Sequence, residues 1–184
     1  MANKLQEMIA MLDKAVEQQA VHGCCRAVKD ALEMIVMSGE EFIPAEYLRP
    51  ASDRYARRLL HLDADQRYSV LVMVWDKGQG TSLHDHAGMW CVECVYRGRI
   101  KVTSFSCTGL RDGLHQFNTE TELYAGPGEA GALIPPFDHH IIENPDDVPA
   151  VTVHVYGGEM RWCDAFEPVE GGYQMVKRNL AYTE

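Results

Sequence analysis

Five of the eight histidines stand in patterns that suit metal binding. His84 and His86 flank Asp85 in TSLHDHAGMWC. On a strand, residues i and i+2 point to one face. Both imidazoles then converge on one point while Asp85 points away, and neutral imidazole is a ligand for iron, zinc, copper or nickel. A His-x-His pair alone is a weak signal, and a third ligand is needed. His139 and His140 lie in PPFDHHIIENP at the start of a later strand-like run. Neighbouring strand residues face opposite ways, so only one of them turns inward, and His139 is read as the solvated one. His154 alternates with Val153 and Val155, which fits a ligand, a group behind a ligand or a satisfied core histidine. The same alternation puts Thr152, His154 and Tyr156 on one face. Taken alone, those three read as buried polar groups that satisfy one another. His22, His61 and His115 sit in polar contexts and read as surface residues.

The elements that must hold these groups follow from periodicity. Leu5, Met8, Ile9, Leu12 and Val16 recur at a helical period, as do Cys25, Val28, Leu32, Ile35 and Val36. Gly23 is expected to separate the two helices and Gly39 to end the second. The FIPAEYLRP stretch, with Pro44 and Pro50, reads as a linker or a short broken helix. From there the pattern is strand-like: YSVLVMVWD, then CVECVY and RIKVTSFS joined in a hairpin at Arg97-Gly98, then ELYAG, GALIPP, HHIIEN and AVTVHVYGG. The chain is therefore expected to be mainly β, an antiparallel sandwich or barrel over 51–184. Residues 1–50 are expected to form a helical cap within the same domain, since so short a segment holds no core of its own.

Composition narrows the setting. A chain of 184 residues fits one domain with a full core. Its formal net charge of -10 repels nucleic acid and anionic membranes, so neither is expected as a partner. No apolar run reaches the length of a membrane span. Acidic residues interrupt the apolar stretches of the N-terminus, unlike a secretory signal, and a cytoplasmic location follows. The six cysteines, Cys24, Cys25, Cys91, Cys94, Cys107 and Cys163, do not suggest a disulfide framework and are read as free thiols.

The motifs can now be joined. Gly78 is followed by five residues, His84-Asp85-His86, four residues, Cys91, six residues and Gly98; His140 precedes Asn144 by four positions. This pattern resembles the two motifs of the cupin superfamily, with cysteine where the first motif usually has glutamate. That departure makes the sequence similar to the cysteine dioxygenase family, mononuclear non-haem iron thiol dioxygenases. Tyr55-Ala56-Arg57, Trp75, Cys163 and Ala165-Phe166 extend the match over roughly residues 52–168. The resemblance implies a single cupin-type antiparallel β-barrel (double-stranded β-helix) with an N-terminal helical segment. It implies Fe(2+) held by His84, His86 and His140. It further implies a Cys91–Tyr156 thioether, with His154 and Thr152 behind the Tyr156 hydroxyl, and Arg57 beside Tyr55 as holder of the substrate carboxylate. The spacing from Tyr55 to His84 differs by one residue from the animal pattern, so Arg58 competes with Arg57, and Arg161 lies near another carboxylate-binding position of the family. The activity implied is oxidation of L-cysteine by O2 to cysteine sulfinic acid by a monomer. The alternatives are another small carboxylate-bearing thiol, such as 3-mercaptopropionate, and a non-catalytic cupin that binds a metal or small ligand.

Overall fold

The computed structural model describes residues 2–184. Helices α1 (Ala2–Ala15) and α2 (Val21–Met37) come first, followed by a 3-10 turn at Ala45–Leu48. The strands are β1 (Ala56–Leu62), β2 (Ser69–Trp75), β3 (Leu83–His84), β4 (Cys91–Arg97), β5 (Ile100–Arg111), β6 (Leu114–Ala125), β7 (Ala130–Leu133), β8 (His140–Glu143), β9 (Ala150–Tyr156), β10 (Trp162–Val169) and β11 (Gly172–Asn179). One sheet has the order β1-β2-β9-β4-β7, and the other strands pair in a closed ring, β10-β11-β6-β5-β8-β3. This is the mainly β, cupin-type architecture expected from the sequence. No described helix is long and apolar enough to cross a membrane.

The central strands of the first sheet are buried on both faces, and strand alternation explains how. Val70, Val72 and Val74 of β2, with Val151, Val153 and Val155 of β9, join Met8, Leu12, Val28, Leu32 and Ile35 of the helices in one core. Leu71, Met73, Trp75, Cys91 and Tyr156 point the other way and pack with Ile100 and Ile142 of the facing sheet. Every residue of β2 and of β9 is accordingly buried. A strand covered on both sides needs apolar residues at both parities, so β2 reads as an unbroken apolar run.

Three expectations are corrected. Gly23 does not separate the helices: α2 begins at Val21, and the break falls at Val16–Ala20. Arg97-Gly98 is not a hairpin turn, because β4 pairs with β7 and β9 while β5 pairs with β6 and β8. Gly98 instead turns the chain from one sheet to the other, at φ 75°, and a Cβ there would lie 2.9 Å from Ala150 Cα. The long hairpin is β5–β6, which turns at Asp112-Gly113 with both residues at positive φ. Finally, β3 is only two residues long, so His86 lies past its end rather than on it.

Candidate metal centre

His84, on β3, is directly paired with His140 on β8 and with Ala165 on β10. His86 follows in a turn whose next two residues, Ala87 and Gly88, have positive φ. Asp85 pins that turn: its carboxylate accepts from the Ala87 and Asp164 N–H groups at 3.1 and 2.9 Å, and its own N–H donates to the Asp164 carbonyl. The three rings stand 4.7, 5.0 and 5.3 Å apart, and one nitrogen from each lies within 4.8 Å of the others.

Outer partners fix two of the ring orientations. His84 Nδ1 lies 3.0 Å from the Ser82 carbonyl, which can only accept. The proton therefore sits on Nδ1, and the Nε2 lone pair is free. Asp138 Oδ2 accepts the His86 backbone N–H at 3.0 Å and lies 3.3 Å from His86 Nδ1, leaving His86 Nε2 buried without a partner. Burial pushes the Asp138 carboxyl up, but hydrogen bonds from His86 outweigh it and hold it below its ordinary value. Burial drives His84 down to about 3 and His140 well below its ordinary value, and the neighbouring imidazoles push both further down. Neutral, converging, partly orphaned imidazoles are a donor set for a first-row divalent metal.

The facing strands bring a second group alongside. Across β4 and β9, Cys91 is opposite Tyr156, Glu93 opposite His154, and Val95 opposite Thr152. The Trp75 indole N–H donates to Thr152 Oγ1 at 2.9 Å, and Thr152 Oγ1 lies 2.8 Å from His154 Nε2. The indole can only donate, so Thr152 Oγ1 accepts from Trp75 and bridges it to His154 Nε2. His154 Nδ1 lies 3.4 Å from the Tyr156 hydroxyl, 4.0 Å from Cys91 Sγ and 3.6 Å from Glu93 Oε2. Burial lowers His154 to about 3 and raises both the Cys91 thiol and the Tyr156 phenol well above their ordinary values.

A cavity of about 280 Å³ opens onto these groups, lined by Tyr55, Arg57, His84, His140, His154 and Tyr156 among others. Arg57 is 4% exposed; its Nη2 donates to the Met160 carbonyl at 2.7 Å and its Nη1 is buried without a partner. Tyr55 stacks on Trp75 with ring centroids 4.5 Å apart. Arg58 turns away, donating to the Tyr47 and Arg49 carbonyls at 3.2 and 2.6 Å. Arg161 is exposed and held by Glu159 at 2.8 Å, outside the cavity lining. One wall comes from Arg178, Asn179 and Leu180, at the end of β11 and just beyond.

The structure thus brings His84, His140, His154, Tyr156, Tyr55 and Arg57 to one cavity, with His86 beside the first two rings and Cys91 and Thr152 against His154. His139 is not solvated as expected: it is half-buried, its ring 5.1 Å from Phe117 and 5.3 Å from Phe166. His115 joins the same aromatic cluster instead of standing on the surface. Sequence reading passed over Asp138 and Glu93. It also passed over the C-x-x-C spacing of Cys91 and Cys94. That spacing carries no disulfide here, because the two residues have opposite strand parity and lie in the two different cores.

Two facing antiparallel sheets with three converging imidazoles between them define a cupin with a histidine-built metal-binding geometry. The match to the family described as cysteine dioxygenase type I spans residues 2–168, and the chain belongs to that family. It is 26% identical to the cysteine dioxygenase type 1 of Bos taurus over 140 residues, covering 74% of this chain and 68% of the relative. Against the human protein of that name the identity is 24% over the same shares. Among solved structures it is similar to TT1209 of Thermus thermophilus, with a TM-score of 0.49 and 20% identity over 65% of this chain and 98% of the other.

Proposed function

We propose that this protein oxidises L-cysteine with dioxygen to cysteine sulfinic acid at Fe(2+) bound by His84, His86 and His140. The observation that carries the reading is one cavity lined by His84 and His140, two of the three clustered imidazoles, and by a buried arginine with an unpartnered Nη1. Bound there, ferrous iron would supply the Lewis acidity that ionises the substrate thiol and the redox chemistry that dioxygen requires. Three neutral ligands leave the metal its full positive charge, which favours an anionic sulfur over a site with a carboxylate ligand.

The chain's own residues do the rest. Arg57 holds the substrate carboxylate with a guanidinium whose position the Met160 carbonyl fixes. Trp75 and Thr152 hold the His154 ring in place, and His154 orients the Tyr156 hydroxyl toward the reacting sulfur. The reaction balances as thiol plus dioxygen giving sulfinic acid, both oxygen atoms on sulfur and the acid proton released. Cys91 and Tyr156 are register partners across β4 and β9, which supports a thioether between them. That step joins Sγ to a ring carbon, and its two hydrogens are lost to dioxygen. Six cysteines without a disulfide among the described residues favour a reducing, cytoplasmic setting.

One observation favours a second substrate. Arg57, the buried cation of the cavity, recognises a carboxylate alone, so a different small carboxylate-bearing thiol such as 3-mercaptopropionate fits the same chemistry. Oxygen uptake and sulfinate formation by ferrous-loaded protein decide between them. The expected result is one sulfinate per dioxygen with L-cysteine preferred. Preference for 3-mercaptopropionate would move the substrate, and no uptake with any small thiol would make the protein a binding cupin.

A further inference from the structure

The carboxylate that the cupin pattern places at position 91 is replaced by cysteine, yet the same strand carries a carboxyl two residues later. Glu93 shares the inward parity of Cys91, and two residues along a strand is a step of about 6.6 Å. It is therefore withdrawn from the cluster of nitrogens formed by the three histidines. Its side chain is buried on the inner face of the first sheet, beside that of His154, its register partner across β4 and β9. Oε1 lies 3.8 Å from His140 Nδ1 and Oε2 3.6 Å from His154 Nδ1. Both Glu93 Oε2 and His140 Nδ1 are buried without a hydrogen-bond partner.

The asymmetry among the three candidate ligands makes this informative. His84 Nδ1 has the Ser82 carbonyl and His86 Nδ1 has Asp138. His140 Nδ1 has no hydrogen-bonded acceptor, and the group facing it is Glu93. A metal-bound imidazole normally donates its other N–H to a carboxylate, a carbonyl or water. The separations are longer than a hydrogen bond, but χ3 of glutamate is soft, and a shift of about 1 Å closes either contact. Ionised or protonated, the carboxyl offers an acceptor oxygen.

We infer that Glu93 is a positioning residue that accepts the His140 Nδ1–H, directs His140 Nε2 to the metal, and ties that ligand to His154 on the substrate side. This rests on the three-histidine metal reading. The test measures equilibrium affinity for Fe(2+), held anaerobically, by chelator competition, together with the visible absorption bands of the Co(2+)-loaded protein. It compares wild type with Glu93→Leu and the isosteric Glu93→Gln, each checked by metal-free thermal unfolding. Loss of a partner behind a metal-bound histidine typically costs about 10- to 100-fold in metal affinity. Glu93→Leu should show that loss and shifted Co(2+) bands while folding at least as stably as wild type, and Glu93→Gln, which keeps an acceptor oxygen, should recover part of it. Unchanged affinity and bands in both variants would overturn the inference. Should Glu93→Leu fail to fold, Glu93→Met, a similar volume without a comparable acceptor, decides in its place: weakened affinity and shifted bands support the inference, and wild-type values for both refute it. Failure of wild type to bind either metal would instead sink the metal reading itself.

Discussion

Arg57 gives the sharpest mutational test, because the structure separates it from its neighbour. Its guanidinium is buried in the cavity, with one nitrogen held by Met160 and the other without a partner, whereas Arg58 is committed to two carbonyls elsewhere. Truncating one member of a buried, hydrogen-bonded charge pair costs about 2–5 kcal/mol. At 1.4 kcal/mol per decade, Arg57→Ala should lower kcat/KM for L-cysteine by about 30- to 4000-fold. Arg57→Lys keeps the charge but not the fork, so it should restore only part of the loss. Arg58→Ala should change kcat/KM by less than about 3-fold, as expected of a residue outside the site. The assay is sulfinate formation with L-cysteine and, in parallel, cysteamine, which has no carboxylate. Arg57→Ala should abolish the preference for L-cysteine and leave the weak cysteamine rate in place. Equal losses on both thiols would show that Arg57 only supports the fold, through Met160 and its 5.0 Å stacking on Tyr182. A loss carried by Arg58→Ala would refute the assignment outright.

Three further outcomes are expected. Gly98→Ala forces a side chain into positive φ and onto Ala150, at a combined cost of about 2–4 kcal/mol; Tm should fall by about 5–15 °C, and an unchanged Tm would contradict the inter-sheet corner. The metal-free protein should lose stability on acidification. His84 and His154 stay neutral in the fold down to about 3 and His140 is also lowered, so below about 6.5 the unfolded chain binds the extra protons. Glu93, raised to about 8 by burial, opposes them above 4.5. The net excess of about two protons near pH 5 corresponds to roughly 3 kcal/mol per pH unit, and denaturant midpoints that stay flat between pH 7 and 5 would refute this. After turnover, peptide mass spectrometry should find Cys91 and Tyr156 in one cross-linked species lighter by two hydrogens, and only separate unmodified peptides would remove the thioether.

Much of the site was legible because its signals are local. The alternation of Thr152, His154 and Tyr156 needs only a strand's parity, whereas the His-x-His pair and the spacing from His140 to Asn144 are short motifs that run past the ends of β3 and β8. Asn144 shows why such spacing holds: its Nδ2 bonds the Trp75 and Val148 carbonyls, closing the turn that follows β8 onto β2. Glu93 was equally accessible from its parity with Cys91, but a charged strand residue invites an outward reading. Asp138 follows two prolines and reads as a turn residue, and only the fold brings it against His86. The sheet to which β5 belongs was not legible. A glycine at a reversal reports that the chain turns, not which strand it then pairs with. His115 owes its partial burial to Phe166 on β10, and His139 to Phe117 on β6 and Phe166 on β10.

The most direct test of the central claim follows the oxygen atoms. Ferrous-loaded protein turned over with L-cysteine under 18O2 in ordinary water should give cysteine sulfinate with both sulfinate oxygens labelled. Singly labelled or unlabelled sulfinate would contradict dioxygenase chemistry at this site, and no sulfinate at all would leave the three histidines with a metal to bind and no thiol to oxidise.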